Sequence, residues 1–324
     1  MTIRAVVAGV GHYLPKNIVS NADLAKIVDT SDEWIKSRSG IERRHFVAEG
    51  EKTSDLGAAA ARSALVAAGL KANDLDAIVL ATSTADLTFP SAATMVQAKI
   101  GMTRGFAFDV QAVCAGFIFA LTTANALIVS GQAKRVMVIG AESFSKLMDW
   151  QDRTTSVLFG DGAGALILEK YIYASGTNAD RGILAADLHS DGQFSNLLYV
   201  DGGTSTGHTG HLRMQGKEVF RHAVEKLAET AHAALGKAGL SAADVDWIVP
   251  HQANLRIISA TAQRMQVPME RVVVTVQDHG NTSAASIPLA LAVGRERGQI
   301  KRGDLLVMEA IGGGLAWGSV VLRW

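Results

Sequence analysis

A chain that repeats itself at one long interval has to build the same structure twice. Here Ala-Gly-Leu at 68–70 recurs at 238–240, a displacement of 170 positions. At that displacement Asp74 meets Asp244, Asp76 meets Asp246, Ile78 meets Ile248 and Val79 meets Val249. Upstream, Ala64-Leu65 meets Ala234-Leu235. A second block agrees at a nearby displacement. Gly131-Gln132 and Lys134-Arg135 return as Gly298-Gln299 and Lys301-Arg302, and Val110-Gln111 returns as Val276-Gln277. The period is far too long for a solenoid. The chain therefore divides into two similar halves, 1–172 and 173–324.

Within the halves, strand and helix patterns alternate. Ile3 to Ala8, Asp76 to Thr82, Phe106 to Val110 and Arg135 to Gly140 are apolar runs of strand length. Thr53 to Ala68 is alanine-rich and stopped by Gly69, the pattern of a helix with a glycine end. Asn21 to Val28 reads as a helix capped by Asn21, and Ser31 as the cap of another beginning Asp32-Glu33-Trp34-Ile35. Asp161-Gly162-Ala163-Gly164 reads as a turn into a further strand. Ser190 to Gly210, rich in Gly, Ser, Thr and Asp, reads as a surface loop. Such alternation predicts an α/β fold in layers.

Composition narrows the class. Hydrophobic residues are 48% and charged residues 19%, enough for a large core. Lys plus Arg and Asp plus Glu are 31 each, so no bulk charge points to nucleic acid or membrane, and any anion site is local. One cysteine excludes an intramolecular disulfide and fits a reducing compartment. Met1 to Gly9 reads as a first strand rather than a signal peptide, and no apolar run reaches membrane-span length. The expectation is a soluble cytoplasmic protein. Gly9-Val10-Gly11-His12-Tyr13-Leu14 begins like a dinucleotide loop, but Leu14 stands where the third glycine belongs. No cofactor is called for.

The single cysteine lies where Phe106-Ala107-Phe108-Asp109-Val110 gives way to the helical run Phe117-Ile118-Phe119-Ala120-Leu121. A thiol at a helix N-terminus faces free N–H groups and the positive end of the dipole, a setting that favours thiolate. A buried cysteine acting as a small hydrophobe is the competing reading. In a pseudo-twofold protein, equivalent loops meet at the seam, and open α/β sheets bind ligands at their strand ends. Cys114 follows Val110-Gln111, and His279-Gly280-Asn281-Thr282-Ser283 follows Val276-Gln277. Pro250-His251-Gln252-Ala253-Asn254 follows the strand Val245 to Val249. Cys114, His251 and Asn281 are thus predicted to converge.

Several motifs carry a resemblance. They are Val113-Cys114-Ala115-Gly116-Phe117, Pro250-His251-Gln252-Ala253-Asn254, Gly280-Asn281-Thr282-Ser283-Ala284-Ala285-Ser286 and Gly312-Gly313-Gly314. Their order and spacing resemble β-ketoacyl-acyl-carrier-protein synthase III, the initiating condensing enzyme of type II fatty acid synthesis. Ser31-Asp32-Glu33-Trp34-Ile35 and Phe159-Gly160-Asp161-Gly162-Ala163-Gly164-Ala165 are also similar to that family. The resemblance covers essentially the whole chain. It implies the thiolase fold, with two βαβαβ-type halves in a five-layered αβαβα arrangement and a homodimer as the usual assembly. Val113 departs from a common alanine and Ile311 from a common phenylalanine, which bears on acyl preference rather than on the reaction.

The resemblance implies an acyltransferase that carries out a decarboxylating Claisen condensation. A short acyl group passes from coenzyme A, a substrate here and not a cofactor, to Cys114 as nucleophile. Malonyl on acyl carrier protein then loses CO2, and its carbanion attacks the thioester. His251 and Asn281 are the implied donors to the enolate oxygen, and the backbone N–H groups of Cys114 and Gly313 the implied oxyanion donors. Trp34, Arg38 and Arg153 are the implied coenzyme A site. Lys217, Arg221 and Arg256 are read as a basic rim for the acidic carrier protein. Phe89, in Thr88-Phe89-Pro90-Ser91-Ala92-Ala93, is read as reaching across the dimer to close the partner's acyl pocket, with Ile311 as another wall. That implies acetyl and similarly short primers.

Cys, His and Asn also make up the papain-type set, so a thiol hydrolase is one alternative. A related condensing enzyme or acyltransferase of secondary metabolism is another, and a non-catalytic scaffold a third. Asn281 argues for decarboxylation, because simple transfer needs no enolate site.

Overall fold

The strands sort into two sheets built to one plan. In the computed structural model, which describes residues 1–324, the first sheet has five strands. From edge to edge they are Thr2–Tyr13, Asp161–Tyr173, Arg135–Ser143, Ala77–Ala81 and Phe106–Val110. The second has four: Gly182–Ser190, Ala316–Arg323, Leu305–Gly312 and Trp247–Pro250. In each sheet the first three strands are antiparallel neighbours and the fourth joins in parallel. The displacement of 170 reappears in the elements, since the 3₁₀ turn Ala72–Asp74 corresponds to Ala242–Asp244 and Arg135 to Leu305 as strand starts.

Both faces of each sheet are covered, which is why the strands read as unbroken apolar runs. Successive side chains alternate between faces. Ile78 and Leu80 pack with the helix Thr53–Ala68, whereas Val79 and Ala81 pack with the helix Gly116–Val129. In the second sheet Leu305 and Val307 meet the helix Gly216–Lys237, while Leu306 and Met308 join the central cluster. The helices Gly116–Val129 and Ser286–Glu296 fill the space between the sheets. Outer helices cover the remaining faces. The predicted five-layered αβαβα arrangement of the thiolase fold is the one observed.

Four local expectations differ. The first helix is Asn21–Leu24, and Ser20 caps it by accepting from the Asp23 N–H. Asn21 is buried instead, its amide donating to Asp32 Oδ1 and the Ile41 carbonyl. Asp161 to Gly164 is already strand. Its small residues admit the central helix, for a Cβ on Gly164 would lie 2.6 Å from Pro288 Cβ. Ser190 to Gly210 is not plain loop, because Leu198–Val200 pairs with Leu212–Met214 as a short ribbon. Finally, Val110 ends a strand while its sequence match Val276 begins the helical turn Val276–His279. A single bridge from Ile248 to Val272 is all that remains of a fifth strand in the second sheet.

Candidate active site

The strand Phe106–Val110 leads into the 3₁₀ turn Val113–Ala115 and then the helix Gly116–Val129. Val113 holds φ 49°, a genuine outlier for a β-branched residue and a mark of stored strain. In the second half the turn Ser283–Ala285 leads into the helix Ser286–Glu296, and Ser283 also has φ 49°. The two turns meet at the seam, where a Cβ on Gly116 would lie 3.5 Å from Ala284 Cβ. One residue separates Gln111 from Val113, but five separate Gln277 from Ser283. Asn281 lies in that longer connection.

Asn281 is held by the first half. Its N–H donates to the Leu158 carbonyl at 2.8 Å and its carbonyl accepts from the Gly160 N–H at 2.9 Å. Its Oδ1 accepts from the Ser283 N–H at 2.9 Å, which leaves the NH2 group to donate elsewhere. His251 follows the strand Trp247–Pro250, with its N–H on the Glu309 carbonyl at 2.8 Å. Its Nδ1 lies 2.7 Å from Ser286 Oγ, which also accepts from the Gln252 N–H. With the Ser286 hydroxyl donating to Nδ1, the neutral ring carries its one hydrogen on Nε2. Burial lowers the imidazole to about 3, so the ring is neutral at physiological pH. Ser286 was not assigned a role from the sequence, although it closes the motif that begins at Gly280.

Cys114 is buried, and its electrostatics differ from the expectation of a standing thiolate. A helix terminus contributes at most about 2 kcal/mol, roughly a thirtyfold gain in acidity. Burial acts the other way and pushes the thiol from 9.0 up to about 12, and the Ser283 hydroxyl offsets it only in part. Desolvation wins, and the resting group is a thiol. The Cys114 and Gly313 amides are given to no backbone carbonyl, so both are free to receive an oxyanion. Gly312 lets the strand end press on this turn, since a Cβ there would fall 2.6 Å from the Cys114 nitrogen.

One cavity of about 420 Å³ brings Cys114, His251 and Asn281 together. Ile311 is part of its wall. Trp34 and Arg38 line it too, from the helix Asp32–Ser39 that Ser31 caps as expected. The Arg38 and Arg153 guanidinium carbons lie 4.8 Å and 5.3 Å from the Trp34 ring centre, so an aromatic plane and two cations form one cluster. Lys217 and Arg256 reach the same cavity. Arg221 does not, and is paired with Glu218 at 2.8 Å. Phe89 is not brought to Cys114 within the chain; it is 81% exposed on the segment before the helix Ala92–Lys99. A larger cavity of about 1070 Å³ lies on the other side of the nucleophile turn, lined by Gln111 and Val113 but not by Cys114.

Known proteins resemble this chain in sequence and in fold. The family model described as 3-oxoacyl-[acyl-carrier-protein (ACP)] synthase III matches residues 108–192, and its C-terminal counterpart matches residues 235–324. A beta-ketoacyl-[acyl-carrier-protein] synthase III of Cereibacter sphaeroides is 78% identical over 324 residues, covering 100% of both chains. That of Ruegeria pomeroyi is 74% identical with the same coverage. The crystal structure of 3-oxoacyl-[acyl-carrier-protein] synthase III from Aquifex aeolicus superposes with a TM-score of 0.92 at 46% identity, covering 99% of this chain and 100% of that one. The chain belongs to the β-ketoacyl-acyl-carrier-protein synthase III family.

Proposed function

We propose that this protein initiates fatty acid synthesis by condensing a short acyl-CoA, acetyl-CoA foremost, with malonyl-acyl carrier protein. The products are 3-oxoacyl-acyl carrier protein, CO2 and coenzyme A. The convergence of Cys114, His251 and Asn281 on one cavity carries this reading. In the first stage the Cys114 sulfur attacks the thioester carbonyl, and the oxyanion is received by the Cys114 and Gly313 amides. Trp34, Arg38 and Arg153 hold the coenzyme A moiety by stacking and phosphate pairing. In the second stage the malonyl group loses CO2. Its enolate oxygen accepts from His251 Nε2 and the Asn281 NH2, two neutral donors whose burial makes them effective. The carbanion then attacks the acyl-cysteine.

Lys217 and Arg256 at the cavity, with Arg221 nearby, form the landing surface for the carrier protein. Two copies of the chain assemble, each lending its exposed Phe89 to the other's acyl cavity, where it limits primer length. The enzyme works in the cytoplasm and needs no cofactor; no helix is long and apolar enough to cross a membrane.

The test supplies acetyl-CoA and malonyl-acyl carrier protein together and follows CO2 release and 3-oxoacyl product. Condensation with stoichiometric CO2 supports the reading. Thioester hydrolysis without a new carbon–carbon bond supports the thiol hydrolase instead.

A further inference from the structure

Arg44 has no part in the chemistry above, yet the chain buries it whole. It lies on the strand Arg43–Phe46 with no exposed surface. Its Nη1 donates to Asn21 Oδ1 at 2.7 Å and to the Val19 carbonyl at 3.4 Å, and its Nη2 to the Val157 carbonyl at 2.8 Å. Its Nε finds no partner. None of these acceptors is charged. Burial lowers the group to about 10, so it remains a cation at neutral pH. Arginine is almost never fully buried without a counter-ion, because a charge gives up its hydration only at high cost. What Arg44 joins accounts for the exception.

The two arms of the guanidinium reach the two parts of the Trp34, Arg38 and Arg153 cluster. Asn21, which accepts from Nη1, donates in turn to Asp32 Oδ1 at 2.9 Å. Asp32 opens the helix Asp32–Ser39 that presents Trp34 and Arg38. Val157, which accepts from Nη2, closes the helical turn Arg153–Ser156 that carries Arg153. The near end of the same side chain presses on the crossing that holds Asn281. A Cβ on Gly160 would lie 3.0 Å from Arg44 Cβ, and one on Gly280 3.2 Å from it. These glycines flank the pairing in which Leu158 and Gly160 bind the Asn281 backbone. The residues before Arg44 grip the turn that leads there. The Glu42 N–H donates to the Gln277 carbonyl at 2.9 Å, and Arg43 Nη2 donates to Asp278 Oδ1 at 2.6 Å.

We infer that Arg44 is a positioning residue that holds the coenzyme A cluster and Asn281 in fixed register. This rests on the reading of Trp34, Arg38 and Arg153 as the coenzyme A site and of Asn281 as an enolate donor. The guanidinium suits the task because it is a flat, rigid fork that donates to several acceptors at once and accepts from none. Its charge-assisted bonds hold those acceptors more firmly than neutral ones would. A lysine ammonium keeps the charge but is a single point on a flexible stem, and it cannot span Asn21 and Val157 in the same way. Arg44 lines neither cavity, so it reaches no reacting atom and acts through Asn281. Condensation needs the acyl group and the carbanion in line, and a small misplacement of either is expensive. One buried side chain thus sets where the primer is delivered relative to where the enolate is held.

The test measures CO2 release from malonyl-acyl carrier protein in the wild type, Arg44→Lys, Asn21→Ala and Asn281→Ala, and in the first two substitutions combined with Asn281→Ala. The kcat and KM are read separately, and the KM for acetyl-CoA in Cys114 acetylation is followed alongside. Arg44→Lys lowers the kcat of CO2 release by roughly tenfold to a hundredfold, the cost of a misplaced group, and leaves the KM for malonyl-acyl carrier protein little changed. It also raises the KM for acetyl-CoA. In the Asn281→Ala background the same substitution costs no more than about twofold in CO2 release, because the donor it positions is gone. Asn21→Ala leaves Arg44 in place and removes one of its acceptors together with the link to Asp32. It shows the same non-additivity with a smaller loss, and so keeps the test open if Arg44→Lys fails to fold. An equal fold-loss with and without Asn281, or CO2 release unchanged in both folded variants, overturns the inference. Full CO2 release by Asn281→Ala alone overturns the underlying reading instead.

Discussion

Val113 and Ser283 stand 170 positions apart and share a backbone φ of 49°. Both begin a 3₁₀ turn that opens a central helix, and the two turns abut at the seam between the halves. A fold that uses one strained turn twice gains two inward-facing positions from a single design. In the first half the turn presents a sulfur. In the second it presents a hydroxyl, and the longer connection before it supplies Asn281. The divergence of the halves, rather than their likeness, makes the site asymmetric enough to run two different steps.

Loss of either enolate donor is expected to damage the second stage. His251→Ala and Asn281→Ala should each lower decarboxylation by about a hundredfold to a thousandfold, the usual cost of one such donor. Single-turnover acetylation of Cys114 should change far less. Normal CO2 release by Asn281→Ala, together with slowed acetylation, would reverse the roles assigned to the two stages.

The buried His251 also sets a pH signature. Burial lowers its imidazole from 6.5 to about 3, so no proton binds it as pH falls through the ordinary histidine range. Decarboxylation by the wild type should therefore show no inflection near 6.5 and keep its donor down toward pH 3. A step near 6.5 that disappears in His251→Ala would mean a solvated, titrating histidine and a different arrangement of the site.

Much of the fold is legible in the sequence, because the repeat at 170 predicts two like sheets and the Cys114 and His251 motifs fall at strand ends. Cys114 and His251 each follow a strand, one in either sheet, and Asn281 follows a helical turn, and the three side chains line one cavity. The protonation state of Cys114 was not legible. A helix terminus is visible in a sequence, but the depth of burial that outweighs it depends on the opposite half of the chain. Arg44 was hidden for a related reason. One arginine among other charged residues gives no sign that Asn21 and Val157 will surround it, since they come from two other segments, one of them 113 residues away. Asn21 was mistaken for a cap because its type suits the role, whereas the hydrogen bonds give that role to Ser20.

Primer length tests the assembly. Phe89 is 81% exposed in the single chain, a large apolar surface that a second copy would cover. If it ends the partner's acyl cavity, Phe89→Thr should shift the preferred primer from acetyl toward longer chains, because a bulky wall excludes by overpacking. Ile311 should allow slightly larger or branched primers, a discrimination of only about 1–3 kcal/mol per methylene. Rates with acetyl-, isobutyryl-, octanoyl- and lauroyl-CoA decide the matter. Wild-type lauroyl-CoA turnover equal to that of acetyl-CoA would remove Phe89 from this role.

The central claim is that Cys114 carries the acyl group between two separable stages. Incubation with labelled acetyl-CoA alone, followed by peptide mapping, should place one acetyl group on the peptide containing Cys114. Cys114→Ser should take up none, because an alcohol is a far weaker nucleophile at neutral pH, and should still release CO2 slowly from malonyl-acyl carrier protein. An adduct on another residue, or full condensation by Cys114→Ser, would contradict the account.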